Sequence, residues 1–391
     1  MILGIPKEIL DNELRVAALP ETVAAYRELG FDVLVQAGAG AGVLVSDEEY
    51  QQAGARIAPD AASLYGAAEV IVKVKQPWRD HASGRDEVEM MRPGALLVSF
   101  LHPAAQPNHT MVKQLAARQI TALTMDDIPR ISRAQPMDAL TSMSTVTGYK
   151  SVLIAANRYA KFVPMIGTAI GTIKPARFLI VGIGVVGLQA VATAKRLGGT
   201  VAAVDIREEA RKSATSLGAK VVGFEAPPDL ATGQGGYARA LPPEWLMKER
   251  EALTPLLRET DIAILSALVP GEVAPVLITD EMLREMKPGS VVVDVAIDQG
   301  GNCAVTEAGT ETVKHGVHLV GIWNIPGYMA VHASWLYARN VLNYIRNLFK
   351  NGPGKPDLED EIVRHSMVTH QGRVLHAGTL KAMGEGGATA R

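Results

Sequence analysis

The stretch FLIVGIGVVGLQAVATAKRLGGTVAAVDIR, residues 178–207, leaves few folds open to this chain. Gly182, Gly184 and Gly187 spell G-x-G-x-x-G where an apolar strand-like run gives way to a helical one. Each glycine has a reason: a tight turn, close approach of backbone to a pyrophosphate, and close packing of helix on strand. The helix start then offers unbonded N–H groups and a positive dipole end to the anion. Asp205 closes the following strand, where a carboxylate can accept from both ribose hydroxyls of a dinucleotide. It would repel a 2′-phosphate and so favours NAD(H) over NADP(H). Arg207 argues the other way, because a nearby arginine is how such sites accept that phosphate. The bland reading keeps the same turn and lets the glycines serve packing alone.

A chain of 391 residues is too long for one ordinary core, so two domains are expected. The runs FDVLVQAG, EVIVKVKQP, ALLVSFLH and QITALTM alternate with helical stretches, which argues for an α/β domain with a mainly parallel sheet. Pro20 and Gly30 bracket one helix, and Ser46 with Glu49 forms a capping box on another that ends at Gly54. The apolar run TGYKSVLIAANRYAKFVPMI reads as a helix crossing to a second domain. There ARFLIVGIG, TVAAVDI, AKVVGF, DIAILSAL, SVVVDVA and VHLVGI read as six strands. The amphipathic ASWLYARNVLNYIRNLF lies too far past the last of them to join that sheet, and is expected to pack back on the first domain. The expected fold is α/β: two Rossmann-like domains with parallel sheets, the second a dinucleotide-binding doubly wound sheet. The expected boundaries are 1–140 plus 328–385 for a discontinuous first domain and 141–327 for the second. A flexible tail is expected at 386–391, since the closing KAMGEGGATAR has little to bury.

Composition narrows the function. A formal charge of −2 without a basic patch argues against nucleic acid as a partner. The single cysteine, Cys303, excludes an intrachain disulfide and fits a reducing compartment; it has no local histidine to make it a nucleophile. Nine histidines and one cysteine form no ligand spacing, so no metal site is expected. The opening MILGIPKE lacks a secretion signal and reads as the start of mature protein, and no run is long enough to span a membrane.

Two loops carry the remaining signal. EAPPDLATGQGGYARALPP is about twice the usual length for a connection of its kind. Proline pairs anchor it, and Gly233, Gly235 and Gly236 surround Tyr237, which suits a lid closing on a ligand; the alternative is a floppy insertion. PRISRAQPMDALTS, residues 129–142, concentrates two arginines, a glutamine, an aspartate and three hydroxyls without a histidine or cysteine.

These two loops, the Gly182–Asp205 segment, SALVPGEVAPVLIT and MKPGSVVVDVAIDQGGN together closely resemble the NAD(H)-binding alpha component of proton-translocating nicotinamide nucleotide transhydrogenase. Alanine dehydrogenase belongs to the same superfamily. The resemblance implies that this chain holds NAD(H) and exchanges hydride directly with NADP(H) bound by a partner subunit, while a membrane-embedded subunit couples the exchange to proton movement. It further implies a homodimer, cytoplasmic and peripheral on the inner membrane through those partners. Ring-to-ring hydride transfer moves no proton at the reacting carbons, so it needs alignment rather than acid, base or nucleophile. By resemblance Arg130, Gln135, Asp138 and Thr141 are the catalytic set: Arg130 and Asp138 fix nicotinamide and ribose, and Gln135 faces the partner's NADP(H). Thr141 stands where the family usually has serine. Cofactor contacts are implied for Ile131, Ser132 and Arg133, for Ile183, Gly184 and Val185 at the pyrophosphate, and for Asp205, Ile206 and Arg207 at the adenosine ribose. Gly236 and Tyr237 come with the lid, and Ser266, Ala267 and Leu268 with a strand end. A local reading competes for Asp138 and Thr141, which can cap the helix that follows with Pro136 in its first turn.

Alanine dehydrogenases grip a substrate carboxylate with an arginine and a lysine, and use a histidine and an aspartate for acid–base work. Arg15, Lys75, His102 and Asp298 are the counterparts here. The alternative expectation is therefore an NAD-dependent 2-amino acid dehydrogenase.

Overall fold

The computed structural model describes residues 1–81, 84–233, 236–269 and 273–385. It divides into two compact units, Met1–Met143 with Gly327–Arg391, and Ser144–Pro326.

The first unit is built on an eight-stranded sheet in the order Arg373–Val374, Met367–His370, Thr121–Thr124, Leu96–Ser99, Val70–Val72, Ile2–Ile5, Asp32–Gln36, Arg56–Ala58. The six strands from Thr121–Thr124 to Arg56–Ala58 run parallel, and the two C-terminal strands add on antiparallel. Val70–Val72, Leu96–Ser99 and Thr121–Thr124 are buried throughout, as strands covered on both faces must be. The strand order reverses at Ile2–Ile5, which pairs with Asp32–Gln36 on one side and Val70–Val72 on the other. Loops leaving the carboxyl ends near such a reversal are where open α/β sheets bind ligands. Helix Pro20–Glu28 starts on Pro20, and Ser46 and Glu49 form the reciprocal cap of helix Asp47–Gln52. The returning segment contributes helix Ala330–Leu348, whose buried Tyr337 donates to the Lys73 carbonyl at 2.8 Å, while Phe349 meets Phe31 edge-on at 5.1 Å. Helix Ala377–Ala382 takes Lys381 and Ala382 out of the fraying end expected from the sequence; residues 386–391 lie outside the described chain.

The main sheet of the second unit has seven described strands, not six: Lys220–Val221, Thr200–Val204, Arg177–Val181, Ile262–Leu265, Val291–Asp294, Val317–Val320 and Glu311–Lys314 in spatial order. The first six are parallel. The additional strand forms an antiparallel edge, joined to its neighbour through His315 and Gly316, both at positive φ as a two-residue hairpin turn demands. Alternation along the central strands feeds two cores. Phe178, Ile180, Ile262 and Ile264 face one, and Leu179, Val181, Ala263 and Leu265 face the other. Helix Ala139–Arg158 stops before the end of its apolar run. Pro164 cannot continue it, and Ile166–Thr168 with Gly171–Ile173 forms a small hairpin instead. Among the described residues no helix is long and apolar enough to cross a membrane.

Candidate functional site

At the strand reversal of the second unit, Arg177–Val181 ends in the glycine loop. Gly182 has φ +85°, and a Cβ there would fall 2.6 Å from the Ala267 nitrogen. A Cβ on Gly187 would fall 2.1 Å from the Gly182 carbonyl oxygen. A Cβ on Gly184 would meet nothing within 4 Å. Two of the three glycines are thus demanded by packing, while Gly184, which begins helix Val185–Arg196, faces open space. That vacant approach to a helix N-terminus fits a dinucleotide pyrophosphate, and no packing argument accounts for it.

Asp205, 6% exposed, is more occupied than the sequence implies. Its carboxylate accepts from the Ile183 N–H at 2.7 Å, and from the backbone N–H, Nε and Nη2 of Arg207 at 2.8, 3.0 and 2.7 Å. Four donors exhaust a carboxylate's ordinary acceptor sites, so Asp205 takes a ribose hydroxyl only where Arg207 yields one. Arg207 also reaches the Gly236 carbonyl at 3.2 Å, which ties the loop after Asp205 to the lid segment. Ile206 and Val185 are half-buried, and Ile183 is in the core.

The strand end Ser266–Leu268 is held from behind. Ser266 Oγ donates to the Gly182 carbonyl at 2.8 Å. Asn302 accepts from the Ala267 N–H at 3.0 Å and donates to its carbonyl at 2.9 Å. Asp294, fully buried, accepts the backbone N–H groups of Asn302 and Cys303. Sequence reasoning missed Asp294 and Asn302. The signal available was Gly300-Gly301 beside them, both at positive φ. Cys303 is 3% exposed and its thiol is pushed up by burial, in keeping with an inert side chain.

Part of the long connection has paired backbone. Thr232 bridges Ala238, Gly233 N–H donates to the Tyr237 carbonyl at 2.8 Å, and Arg239 N–H donates to the Ala231 carbonyl at 3.1 Å. Gly236 sits at φ +77° beside the half-buried Tyr237; Gln234 and Gly235 lie outside the described residues. Glu249, on helix Pro243–Glu259, is 6% exposed and was missed because nothing in a helical sequence tells a buried glutamate from a solvated one.

In the first unit Arg130, Ser132 and Gln135 are exposed and Ile131 half-buried, along an irregular stretch whose residues Ser132–Met137 form a 3₁₀ turn. Asp138 caps the helix starting at Ala139: its Oδ1 accepts the Thr141 N–H at 2.8 Å, and its Oδ2 the Thr141 hydroxyl at 2.6 Å. Pro136 belongs to the 3₁₀ turn, not to the first turn of that helix as the local reading had it. Arg133 is committed elsewhere, donating to Asp360 at 2.9 Å and Asn347 at 3.0 Å, so its side chain is a tie to the returning segment.

The dehydrogenase-like residues of this unit follow the carboxyl ends of parallel strands. His102, with φ +44°, pairs through Nδ1 with Asp126 at 2.7 Å. Burial would raise the Asp126 pKa, but the His102 ring and hydrogen bonds from Thr124 and the His102 backbone outweigh it and hold the carboxyl well below its usual range. Arg15, 3% exposed, is bound by Glu13, with Nε at 2.7 Å from Oε1. Lys75 is half-buried near an ion cluster in which Lys73 Nζ meets Glu8 at 2.9 Å and Glu87 at 3.3 Å. Burial would depress the Lys73 pKa, yet the two carboxylates push it up to about 12. Asp298 is exposed on the turn Val295–Gln299 of the second unit. Among the described residues no three His, Cys, Asp or Glu side chains are grouped to hold a metal ion.

Comparison with known proteins matches residues 4–147 to the family described as "Alanine dehydrogenase/PNT, N-terminal domain" and residues 151–377 to its C-terminal counterpart. The chain is 45% identical over 380 residues to a protein of Rhodospirillum rubrum that is named for the alpha subunit of NAD(P) transhydrogenase, covering 96% of this chain and 98% of that one. It is 31% identical over 391 residues to an alanine dehydrogenase of Methanococcus maripaludis, covering 98% and 96%. A solved transhydrogenase structure from Sinorhizobium meliloti superposes with a TM-score of 0.82 at 38% identity, covering 96% and 99%.

Proposed function

The chain belongs to the alanine dehydrogenase/PNT family, and we propose that it is the NAD(H)-holding component of a proton-translocating NAD(P) transhydrogenase. The observation that carries this reading is the glycine cradle: Gly184 open at a helix start, with Asp205 and the Gly236–Tyr237 segment joined to it through Arg207. NAD(H), when bound, supplies the carbon that gives or takes the hydride. The chain's own part is binding and alignment. The helix start at Gly184 and Val185 neutralises pyrophosphate charge, Asp205, Ile206 and Arg207 receive the adenosine ribose, and Ser266–Leu268 border the crevice at the strand ends. Arg130 and Asp138 orient the nicotinamide end, Thr141 supports Asp138, and the exposed Gln135 faces NADP(H) on a partner subunit. Membrane-embedded partners couple the exchange to protons and keep this chain, as a homodimer, on the cytoplasmic face.

A second reading is favoured by one observation, the His102–Asp126 pair at 2.7 Å in the same unit as Lys75 and the buried Arg15. A histidine oriented by a half-buried carboxylate is the base that a 2-amino acid dehydrogenase requires. One assay separates the two. The purified chain is given NAD and L-alanine, and in parallel an acetylpyridine analogue of NAD with NADPH and a transhydrogenase NADP(H)-binding component. Analogue reduction that requires both NADPH and the partner is the expected result. Alanine-dependent NADH formation by the chain alone, abolished in His102→Ala, would replace the transhydrogenase reading with the dehydrogenase one.

A further inference from the structure

Glu249 poses a problem that the cradle itself does not solve. Leu253 and Leu257, one and two turns along the same helix, are buried in the apolar cluster that contains Val204, the residue before Asp205. The same helix face, read back one turn, brings Glu249 toward the strand end where Asp205 sits. Its side chain is in the interior, yet among the described residues no hydrogen bond or ion pair reaches its carboxyl. Its oxygens are not among the wholly enclosed polar atoms that lack a partner, so they keep a narrow contact with the exterior through which a donor from a ligand can reach them.

The neighbouring charges define its state. Burial first, and then the negative charge of Asp205, push the Glu249 pKa up to about 7, against a smaller opposing pull from Arg250. Neither arginine at hand neutralises it. Arg250 donates through Nε and Nη2 to the Val276 carbonyl at 2.9 and 2.6 Å, and Arg207 is engaged on Asp205. The two carboxyl groups at this end of the crevice therefore differ: Asp205 is saturated with donors, whereas Glu249 has no partner and is half-protonated near neutral pH.

We propose that Glu249 is the acceptor for an adenosine-ribose hydroxyl and that binding of the dinucleotide expels its proton. The inference rests on the reading that the second unit holds NAD(H). A hydroxyl donates a stronger hydrogen bond to a carboxylate than to a neutral carboxyl, so the bound state favours ionised Glu249. The hydroxyl keeps its own proton, and the proton leaving Glu249 passes to bulk water. A group whose pKa falls on binding releases protons, and affinity then rises with pH through the free-state pKa. The same arrangement gives the site two carboxylates when occupied, which strengthens its rejection of a 2′-phosphate.

The test is calorimetric titration of the full chain with ADP-ribose, which has the adenosine end of the dinucleotide and no nicotinamide. Near neutral pH, two buffers of different ionisation heat count the protons exchanged. Proton release is expected, with affinity rising about fivefold or more between about pH 6 and about pH 8. Glu249→Gln should bind with a flat pH profile and no proton release. Binding without release, with uptake, or with a pH profile unchanged in Glu249→Gln overturns this inference while leaving the NAD(H) site standing. No binding at any pH overturns the NAD(H) reading itself and this inference with it. If Glu249→Gln does not fold, the wild-type proton count decides alone.

Discussion

At the scale of single residues, the three glycines of one motif separate into distinct physical roles. Gly187 lies against the Gly182 carbonyl, and no side chain can be accommodated without moving backbone. Gly187→Ala should therefore destabilise the second unit by about 1–3 kcal/mol, in the manner of an overpacked core. Gly184 meets nothing, and its φ of −83° is open to any residue. Gly184→Ala should leave stability within about 0.5 kcal/mol and weaken NADH at least about tenfold, because only the ligand would meet the added methyl. Thermal unfolding and NADH titration on the two variants check both halves. A Gly184→Ala variant that binds NADH normally would mean that the pyrophosphate does not approach there. The neighbouring acids make a related point. Asp205 was legible from its place at a strand end, but its four donors, from the Ile183 backbone and from Arg207 two residues on, and the nearly buried Glu249 nearby were not, since they follow from how backbone and side chains fold around it.

At the scale of elements, Asp138 has one role seen in the structure and a second one proposed. It caps helix Ala139–Arg158 through Thr141, which is the local role, and the family resemblance gives it a cofactor role as well. Asp138→Ala should cost about 1 kcal/mol of stability for the lost cap, whereas Asp138→Asn keeps a capping oxygen and should cost only a few tenths. Hydride transfer with the NADP(H)-binding partner should nevertheless fall in Asp138→Asn about tenfold or more, as expected when a charge-assisted hydrogen bond becomes neutral. Transfer that tracks stability across the two variants would reduce Asp138 to a cap. The lid segment behaves similarly. Its prolines and glycines were legible as a special loop, but the pairing of Thr232 with Ala238 and of Gly233 with Tyr237 depends on hydrogen bonds that composition does not announce.

At the scale of the whole molecule, the first unit is closed by chain that returns after the second. Helix Ala330–Leu348 and strand Met367–His370 complete its core and sheet, with Tyr337 and Tyr344 fully buried. Residues 144–326 hold two apolar clusters of their own and should fold alone, unfolding in one transition and binding ADP-ribose within a few-fold of the full chain. Residues 1–143 alone should not fold, because the Thr121–Thr124 strand would lose one of its two partners and become an open edge, and the buried face would lose its helix. Circular dichroism on the two fragments checks this, and a folded 1–143 would show that the returning segment is dispensable. The amino-acid sequence by itself determined the α/β class and the glycine loop, because strand alternation and turn chemistry act over a few consecutive residues. It did not reveal the short strands Arg56–Ala58 and Glu311–Lys314, which exist only because a neighbouring strand supplies their hydrogen bonds. Nor did it reveal that Arg133 turns to Asp360, that the Ile183 N–H occupies Asp205, or that Glu249 is nearly buried. Those belong to the tertiary structure, because the state of a charge depends on what surrounds it in space, and its surroundings come from segments distant in sequence.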